Sequence, residues 1–269
     1  MVELVVPYSP RPLQQQLHND PTRFKVLVWH RRAGKTVWAI NQGIRRAIQC
    51  YGEHKRNPRV AYIAPLLKQA RTVAWDYAKE YLSAMPGFKP NEGNLHIDFL
   101  DGCRLQLYGS DNPDAARGIY LDDVVMDEYA QMSPKMWSEI IRPALSDRQG
   151  TASFIGTPKG KNNFFELYQR AVEDQTGQWA GYLYKASETG YVDAGELMFA
   201  KNDMSEEEYE QEYECSFTAA IRGAYYGKIM EKITKDEQVT SVPYEPTLPV
   251  ITAWDLGLDD MTSIWFAQI

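Results

Sequence analysis

The chain is poor in cysteine. Its 269 residues include only three, Cys50, Cys103 and Cys215, which are odd in number and far apart in the sequence. Such spacing provides neither a disulfide framework nor a set of zinc ligands. We therefore expect thiols that lie in the core or at the surface and that have no structural crosslink to make.

Long apolar runs are also missing. The longest spans residues 60–67, where Pro65 interrupts it, and it falls well short of the roughly 18 residues of a membrane span. The start of the chain does not resemble a signal peptide, because Glu3 and Pro7 stand where a basic segment and an apolar core belong. The sequence predicts a cytosolic protein that has no membrane partner.

A basic surface is the third absence, since the net charge is −7 and any contact with nucleic acid must be local. The hydrophobic share of 44% and the charged share of 24% are those of a globular protein. A chain of 269 residues predicts one large domain with an appendage. Short basic clusters occur, each of which also fits a solvated helix or loop face: Arg45 with Arg46, Lys55 and Arg56 with Arg59, and Lys159 with Lys161.

Strand and helix patterns alternate through the first two thirds of the chain. This alternation predicts an α/β fold with a mostly parallel sheet and flanking helices. After a first strand that begins at Phe24, strands are predicted over residues 59–64, 121–126, 151–155 and 179–185. Helices are predicted over residues 36–51, 67–85, 135–145 and 162–173. Residues 95–108 read as a hairpin that turns at Asp101 and Gly102.

The last third of the chain has a different character. Residues 193–217 are helical in pattern and acidic, with Ser205 and Glu208 as a capping box, which indicates a small helical subdomain or lid. Residues 243–249 read as a proline-bearing linker, and residues 250–253 and 264–266 as two further strands. So short a segment cannot bury a core, so we expect either a piece of a longer protein or an end that packs onto the main domain.

The most informative segment is residues 24–36, FKVLVWHRRAGKT. An apolar strand leads into a loop that closes with Gly34, Lys35 and Thr36. Backbone N–H groups, a helix N-terminus and a lysine then converge where a triphosphate binds, and the hydroxyl is placed to hold Mg²⁺. The full pattern begins with a glycine, whereas this chain has Trp29 in that place. An ordinary helix start is the alternative interpretation.

A second motif is VVMDE, residues 124–128, in which Asp127 and Glu128 emerge from a buried strand. In nucleotide hydrolases the first carboxylate holds Mg²⁺ and the adjacent glutamate polarises the attacking water as general base. Phosphate transfer to a bound hydroxyl needs no such glutamate, so Glu128 favours hydrolysis. A solvated acidic pair at a strand end is the plain alternative.

Further candidates lie at the next strand end and inside the loop. Thr157 follows an apolar strand and is predicted to bond the γ-phosphate or the attacking water, although it also fits a Thr-Pro turn. Arg31 and Arg32 are suited to bridging phosphate oxygens, or to pairing with a carboxylate such as Glu128. His30 is expected to pack within the loop.

The order of these motifs resembles the large terminase subunit of tailed bacteriophages, over essentially the whole chain. The resemblance rests on Arg11, Pro12 and Gln14, on HRRAGKT at residues 30–36, and on Arg117 and Gly118 before VVMDE. It continues with RPALSDRQG at 142–150, IGTPKGKNNFFELY at 155–168 and YECSFTAAIRGAYYG at 213–227. The last two segments are its most specific parts. Departure from the first glycine is common in the loops of this family.

The resemblance implies a P-loop NTPase of the additional-strand, catalytic-glutamate type, in which the strand leading to Thr157 separates the phosphate-loop strand from the Asp127 strand. The implied cofactors are ATP and Mg²⁺, with Gln14 reading adenine, Thr36 and Asp127 holding the metal, and Glu128 activating water. The implied ATP-binding set is Gln14, Arg31, Arg32, Ala33, Gly34, Lys35 and Thr36. Arg31 would act within its own subunit and Arg117 on the neighbouring subunit's ATP.

The family pattern also implies a domain plan. Residues 1–185 would form the ATPase domain, 186–240 a helical lid, 241–249 a linker, and 250–269 the start of an RNase H-like nuclease. ITAWDLGLDD, residues 251–260, places Asp255 where the nuclease holds the first of two divalent metals, and cleavage is not expected from this incomplete site.

The implied activity is packaging of double-stranded DNA into a procapsid. It would be carried out in the host cytoplasm by a homo-oligomeric ring on the portal protein, together with the small terminase subunit. The chain alone would be monomeric. A helicase-like translocating ATPase and a nucleotide-gated binding protein are the alternatives.

Overall fold

A computed structural model of the protein describes residues 6–54, 57–218, 229, 232–234, 236–241, 243–256 and 262–268. The chain divides into two compact units, Met1–Gly223 and Ala224–Ile269. The predicted domain boundaries at residues 185, 240 and 249 stay predictions. Within the described ranges, no helix combines the length and the apolar character needed to cross a membrane.

The first unit is built on one eight-stranded sheet, with strand order β3-β4-β5-β2-β6-β7-β1-β8. The strands from β5 to β8 in that order pair in parallel, and β3 and β4 add antiparallel at one edge. The strands are β1 Phe24–Trp29, β2 Arg59–Ala64, β3 Lys89–Asn91, β4 His96–Phe99, β5 Cys103–Gly109, β6 Asp123–Asp127, β7 Thr151–Gly156 and β8 Trp179–Tyr184.

Helices cover both faces of this sheet. Alternate residues of β1 serve opposite sides: Leu27 joins a core cluster that includes Trp38, and Val28 joins a second cluster that includes Trp137. Fully buried parallel strands of this kind read as continuous apolar runs. The helices are α1 Pro12–Asn19, α2 Lys35–His54, α3 Leu67–Leu82, α4 Arg142–Ala144, α5 Asn163–Val172, α6 Ala186–Thr189, α7 Ala194–Asp203 and α8 Glu206–Glu212.

The structure confirms the predicted hairpin at Asp101 and Gly102 and the capping box at Ser205. It corrects the predicted helix over residues 135–145, which is a π-helical turn, Met136–Ile141, followed by the short α4. Pro143 supplies no N–H, and its ring would clash with the carbonyl four residues earlier, so the backbone widens at this point. Helix α1 and the three-residue edge strand β3 were not predicted.

The second unit contains a two-stranded antiparallel hairpin, β9 Ile251–Asp255 and β10 Ser263–Ala267, which confirms the two predicted strands. Every residue of both strands is exposed. Three groups of predicted features fall outside the described residues: Asp259 and Asp260, the basic pair Lys55 and Arg56, and residues 219–227 of the family motif.

Candidate functional site

Three strands deliver the candidate residues to one edge of the sheet. Strand β7 pairs with β1 on one side and with β6 on the other, so the Thr157 strand lies between the phosphate-loop strand and the Asp127 strand. This arrangement is the one that the family resemblance implied. Since parallel strands end at the same edge, the loop after β1, the acidic pair after β6 and the turn after β7 converge there.

The loop between β1 and α2 has a fixed backbone shape. Arg32 and Gly34 both take left-handed conformations, with φ of 66° and 85°. His30 is fully buried, and its ring nitrogens lie 2.7 Å from the Arg31 carbonyl and 2.8 Å from the Thr189 hydroxyl on α6. Burial lowers the pKa of His30, so the ring is neutral at physiological pH. His30 is thus a packed residue, as predicted.

Lys35 spans this loop. Its Nζ donates to the carbonyl oxygens of Trp29 at 3.1 Å and His30 at 3.3 Å. Lys35 is also the first residue of α2, and the first N–H groups of a helix have no partner within the helix. The lysine charge and the N-terminus of a long helix therefore coincide at one point, which makes an anion site.

Gln14 holds α1 against the same loop. The side chain is buried, and its Nε2 donates to the Gly34 carbonyl at 3.1 Å. Its Oε1 accepts from the Arg11 backbone N–H at 2.9 Å and from the Tyr8 hydroxyl at 3.3 Å. The carboxamide therefore fixes the loop in this structure, and its role in reading adenine stays a prediction.

Asp127 is held on both carboxylate oxygens. Its Oδ2 accepts a hydrogen bond of 2.6 Å from the Tyr62 hydroxyl and lies 3.4 Å from the Thr36 hydroxyl, while Oδ1 accepts from the Glu128 backbone N–H at 2.9 Å. Burial and the nearby Asp127 charge raise the pKa of Tyr62 well above its usual value, so the phenol stays protonated and keeps donating.

Tyr62 is a site residue that sequence reasoning missed. It lies in the apolar run of β2, where an aromatic residue is expected for packing alone. The one available signal was a hydroxyl in a strand whose other side chains, apart from Arg59 at its start, are apolar.

Thr36 and Asp127 present the oxygen chemistry that suits Mg²⁺, a hydroxyl beside a carboxylate. In the part of the chain that the structure describes, no group of three or more His, Cys, Asp or Glu side chains could hold a metal by itself. Beside nucleotides, Mg²⁺ is usually held by one or two protein ligands together with phosphate oxygens and water, and this pair fits that pattern.

Glu128 has an unusual backbone conformation. Its φ of 53° and ψ of 43° lie in the left-handed region, and a 3₁₀ turn, Tyr129–Gln131, follows it. A non-glycine residue held there costs about 1–3 kcal/mol and is concentrated at functional sites. Burial raises the pKa of the Glu128 carboxyl above its usual value, an effect that the Lys35 charge opposes.

Thr157 follows the strand tip that lies against this glutamate. It is buried and directly follows β7, whose last residue is Gly156. A Cβ added at Gly156 would lie 3.5 Å from the Glu128 Cα, so the tip of β7 directly abuts the Glu128 backbone. The structure therefore brings Lys35, Thr36, Asp127, Glu128 and Thr157 to one edge.

The loop arginines are exposed. Arg31 donates its backbone N–H to the Glu212 carbonyl at 2.9 Å, and its guanidinium lies 3.7 Å from the Glu212 carboxylate. The sequence suggested a carboxylate partner such as Glu128, whereas the partner in the structure is the last residue of α8. Sequence reasoning missed this contact, because it depends on how the acidic helices return to the loop.

Two further predicted residues, Arg117 and Asp255, contact residues near them in the sequence. Arg117 follows a 3₁₀ turn, Pro113–Ala116, and its Nε lies 2.5 Å from the Asp114 carboxylate, with 60% of the arginine side chain exposed. Asp255 ends β9 in the second unit, where it is exposed and pairs with Ser263 across the hairpin. Their predicted roles stay predictions.

A phosphate-type loop, an acidic strand end and one strand inserted between them define a P-loop α/β domain of the additional-strand type. The family model described as "Terminase large subunit, T4likevirus-type, N-terminal" matches residues 31–232. The chain therefore belongs to the large terminase subunit family, as its motifs indicated.

Relatives of known identity agree with this assignment. The large terminase subunit of Escherichia phage T5 is 24% identical over 221 residues, which are 80% of this chain and 49% of that protein. The large subunit of Thermus phage G20c is 49% identical over 59 residues, which are 22% of this chain and 12% of that protein. The chain thus spans about half the length of the phage T5 relative.

Solved structures share the fold. The large terminase ATPase domain of Thermus phage P74-26 superposes with a TM-score of 0.66 at 22% identity, over 79% of this chain and 95% of that one. The large terminase of another thermophilic bacteriophage, solved in complex with ATP-gamma-S, gives a TM-score of 0.61 at 14% identity, over 95% of this chain and 63% of that one.

Proposed function

We propose that this chain is the ATP-hydrolysing motor part of a large terminase, which drives double-stranded DNA into a procapsid. The observation that carries the proposal is the distance of 3.4 Å between the Thr36 hydroxyl and the Asp127 carboxylate. Lys35 directly precedes Thr36, and Glu128 directly follows Asp127, so the two motifs meet at this point. Membership of the family supports it. So does the nucleotide bound to the large terminase of the thermophilic bacteriophage, which was solved with ADP and with ATP-gamma-S.

Each residue has a chemical task in this proposal. Lys35 and the first turn of α2 neutralise the β- and γ-phosphates. Thr36 with Asp127 would hold Mg²⁺, which would supply further positive charge beside the phosphates. Glu128 accepts the proton of the attacking water. Thr157, at the tip of β7, is placed to orient either that water or the γ-phosphate.

The raised pKa of Glu128 suits this task. A general base must be deprotonated at the working pH and still attract a proton, so a carboxylate whose pKa lies above its usual value is a better base. The Lys35 charge opposes this rise in pKa and so favours the ionised carboxylate. Arg31 and Arg32 supply additional positive charge from the same loop, and Gln14 and Ala33 complete the proposed ATP-binding set.

The assembly is part of the same proposal. Arg117 would serve the ATP of a neighbouring subunit in a homo-oligomeric ring on the portal protein, with the small terminase subunit as a partner. Its exposure supports this, because an arginine that acts on another subunit must reach beyond its own chain. Work would take place in the host cytoplasm at the procapsid. The hairpin β9–β10 would begin the nuclease, with Asp255 as its first metal ligand.

Steady-state ATP hydrolysis by the parental chain and two variants tests the proposal. Glu128→Gln keeps the shape of the side chain and removes the base, so we expect nucleotide affinity to persist and turnover to fall by about 10²–10⁴-fold. Lys35→Ala should weaken binding and turnover together, because the ammonium contacts phosphate before and during the reaction. Lys68→Ala, on the exposed first turn of α3, is the matched control.

If Glu128→Gln turns over ATP at the parental rate, Glu128 is not the general base. If Lys35→Ala binds nucleotide with the parental affinity, Lys35 does not bind the phosphates. Repeating the assay with free DNA separates the helicase-like alternative. A helicase should be strongly stimulated by free nucleic acid, whereas a packaging motor depends on its portal.

A further inference from the structure

Two asparagines tie the turn after Glu128 to the start of α5. The Asn162 side chain donates its Nδ2 to the Ala130 carbonyl at 3.0 Å, and the Asn163 side chain donates its Nδ2 to the Met132 carbonyl at 3.0 Å. We call this pair, Asn162 and Asn163, the asparagine clasp. Both acceptors lie within a few residues of Glu128, and both donors lie in the segment that follows Thr157.

The clasped turn begins at Glu128, whose backbone conformation sets the direction in which its side chain leaves the chain. The Glu128 carbonyl accepts from the Gln131 N–H at 2.9 Å, which closes the 3₁₀ turn directly on the left-handed residue. Tyr129 anchors the turn to the sheet, since the centre of its ring lies 4.9 Å from the centre of the Phe154 ring on β7. Since a left-handed glutamate is strained, the surroundings must hold it in place, and the clasp supplies two of the restraining bonds.

Asn162 uses both ends of its amide. Its Oδ1 accepts from the Phe164 N–H at 3.0 Å and so caps α5, while its Nδ2 reaches the Ala130 carbonyl. Asp and Ser cap helices about as well as Asn, but an ionised Asp has no donor, and the Ser hydroxyl lies one bond nearer the backbone than the Asn amide nitrogen. The cap alone therefore does not require asparagine, whereas the bond to the Glu128 turn does.

We propose that the asparagine clasp is a positioning device for the general base, holding Glu128 in the left-handed conformation that directs its carboxylate toward the nucleotide. Asn162 and Asn163 are positioning residues that act through the backbone of the turn. The inference rests on the proposed function, since it presumes that Glu128 activates water. The segment after Thr157 thereby gains a role beyond ending a strand.

The variants Asn162→Ser, Asn163→Ser and the double substitution test the clasp. Serine keeps the cap acceptor at residue 162 and introduces no charge near Glu128. A neutral hydrogen bond contributes about 0.5–1.5 kcal/mol, so each single variant should lower kcat about 2–10-fold and the double variant about 5–100-fold. Affinity for a non-hydrolysable ATP analogue should stay within about twofold, because the phosphate loop is untouched. Asn202→Ser, on the exposed face of α7, is the matched control.

A second comparison separates positioning from general loosening. In a Glu128→Gln background the clasp substitutions should cause no further loss of the residual turnover, since the base they position has been removed. Parental kcat in the double variant would overturn the proposal. So would a fall in kcat that is accompanied by a comparable fold loss of nucleotide affinity and by a lower melting temperature, since that pattern indicates general loosening.

Failure of the clasp and failure of the proposed function give different results. If Glu128→Gln is inactive and the clasp variants are fully active, only the clasp is wrong. If Glu128→Gln itself hydrolyses ATP at the parental rate, the base assignment is wrong and the clasp proposal is overturned with it. Should the double variant fail to fold, the two single variants carry the same comparison.

Discussion

Removal of the Tyr62 hydroxyl is the sharpest test of the Asp127 geometry. Tyr62→Phe keeps the ring that packs in the core of β2 and deletes one oxygen, which lies 2.6 Å from Asp127 Oδ2. Both side chains are almost fully enclosed, with 3% and 4% of their surfaces exposed. Water therefore cannot replace the lost donor without a rearrangement of the core.

The size of the effect follows from the kind of bond. A hydrogen bond to a charged group contributes about 1.5–3 kcal/mol, which is roughly a 10- to 150-fold change in an equilibrium constant. Partners that orient a metal ligand are worth about 10–100-fold in metal affinity. After the substitution, Asp127 Oδ2 has lost its short donor while Oδ1 keeps the Glu128 N–H, so the carboxylate is free to rotate away from Thr36. We expect the Mg²⁺ requirement for nucleotide binding to rise about 10–100-fold.

The assay is a Mg²⁺ titration of nucleotide binding at a fixed concentration of a non-hydrolysable ATP analogue, followed by calorimetry. Tyr108→Phe is the matched control, because Tyr108 is a buried tyrosine on the neighbouring β5 that packs into the core on the other face of the sheet. A midpoint equal to the parental one would refute the orienting role of Tyr62. A midpoint at lower Mg²⁺ would mean that the hydroxyl competes with the ion for Oδ2.

Three further outcomes are expected. A mixture of Arg117→Ala and Glu128→Gln chains should regain ATPase activity, because one chain supplies an intact base and the other an intact arginine. An arginine supplied by a neighbouring subunit is worth about 10³–10⁵ in rate. If the mixtures stay as inactive as either variant while parental chains assemble, Arg117 does not act on the neighbouring subunit's ATP. The acid limb of the kcat/KM–pH profile, which reports the free enzyme, should lie above pH 4.5, since burial raises the pKa of Glu128 from that value and the base must be ionised. A limb at or below that pH would contradict the role. Burial raises the pKa of Asp123 from 3.8 to about 6, so its charge destabilises the fold above that pH and not below 3.8. The melting temperature of Asp123→Asn should therefore rise relative to that of the parental chain as the pH increases through this window. A difference between the two melting temperatures that does not change with pH would refute this expectation.

Short local sequence motifs made much of the site predictable. A strand that stops at a Gly-Lys-Thr helix start, and a buried strand that ends in two carboxylates, are each written within a few neighbouring residues. The structure accordingly brings Lys35, Thr36 and Asp127 together as the motifs suggested. The placement of β7 between β1 and β6 came from the family resemblance alone, because the pairing of distant parallel strands leaves no trace in local patterns.

The parts that sequence reasoning missed share one physical cause. Tyr62 reaches Asp127 because β2 pairs with β6, and Glu212 reaches Arg31 because α8 ends beside the loop, so each contact joins segments far apart in the chain. The hydrogen-bond partner of a buried hydroxyl is fixed by such non-local packing. The clasp is different, since Asn162 begins the helix predicted over residues 162–173, where asparagine is a favoured cap, and only its bond to Ala130 needed the structure.

The absent first glycine of the phosphate loop has a structural explanation. Trp29 still belongs to β1, where it pairs with Tyr184 of β8, so its backbone is extended and needs no glycine. The left-handed positions of the loop fall later, at Arg32 and Gly34. At Gly34 a Cβ would also lie 2.9 Å from the Gln14 amide nitrogen, which is itself bound to the Gly34 carbonyl. The side chain of Trp29 is instead fully buried, with its ring 5.7 Å from that of Tyr184. The loop therefore turns after the tryptophan and not at it, and the glycine that the fold cannot replace is Gly34.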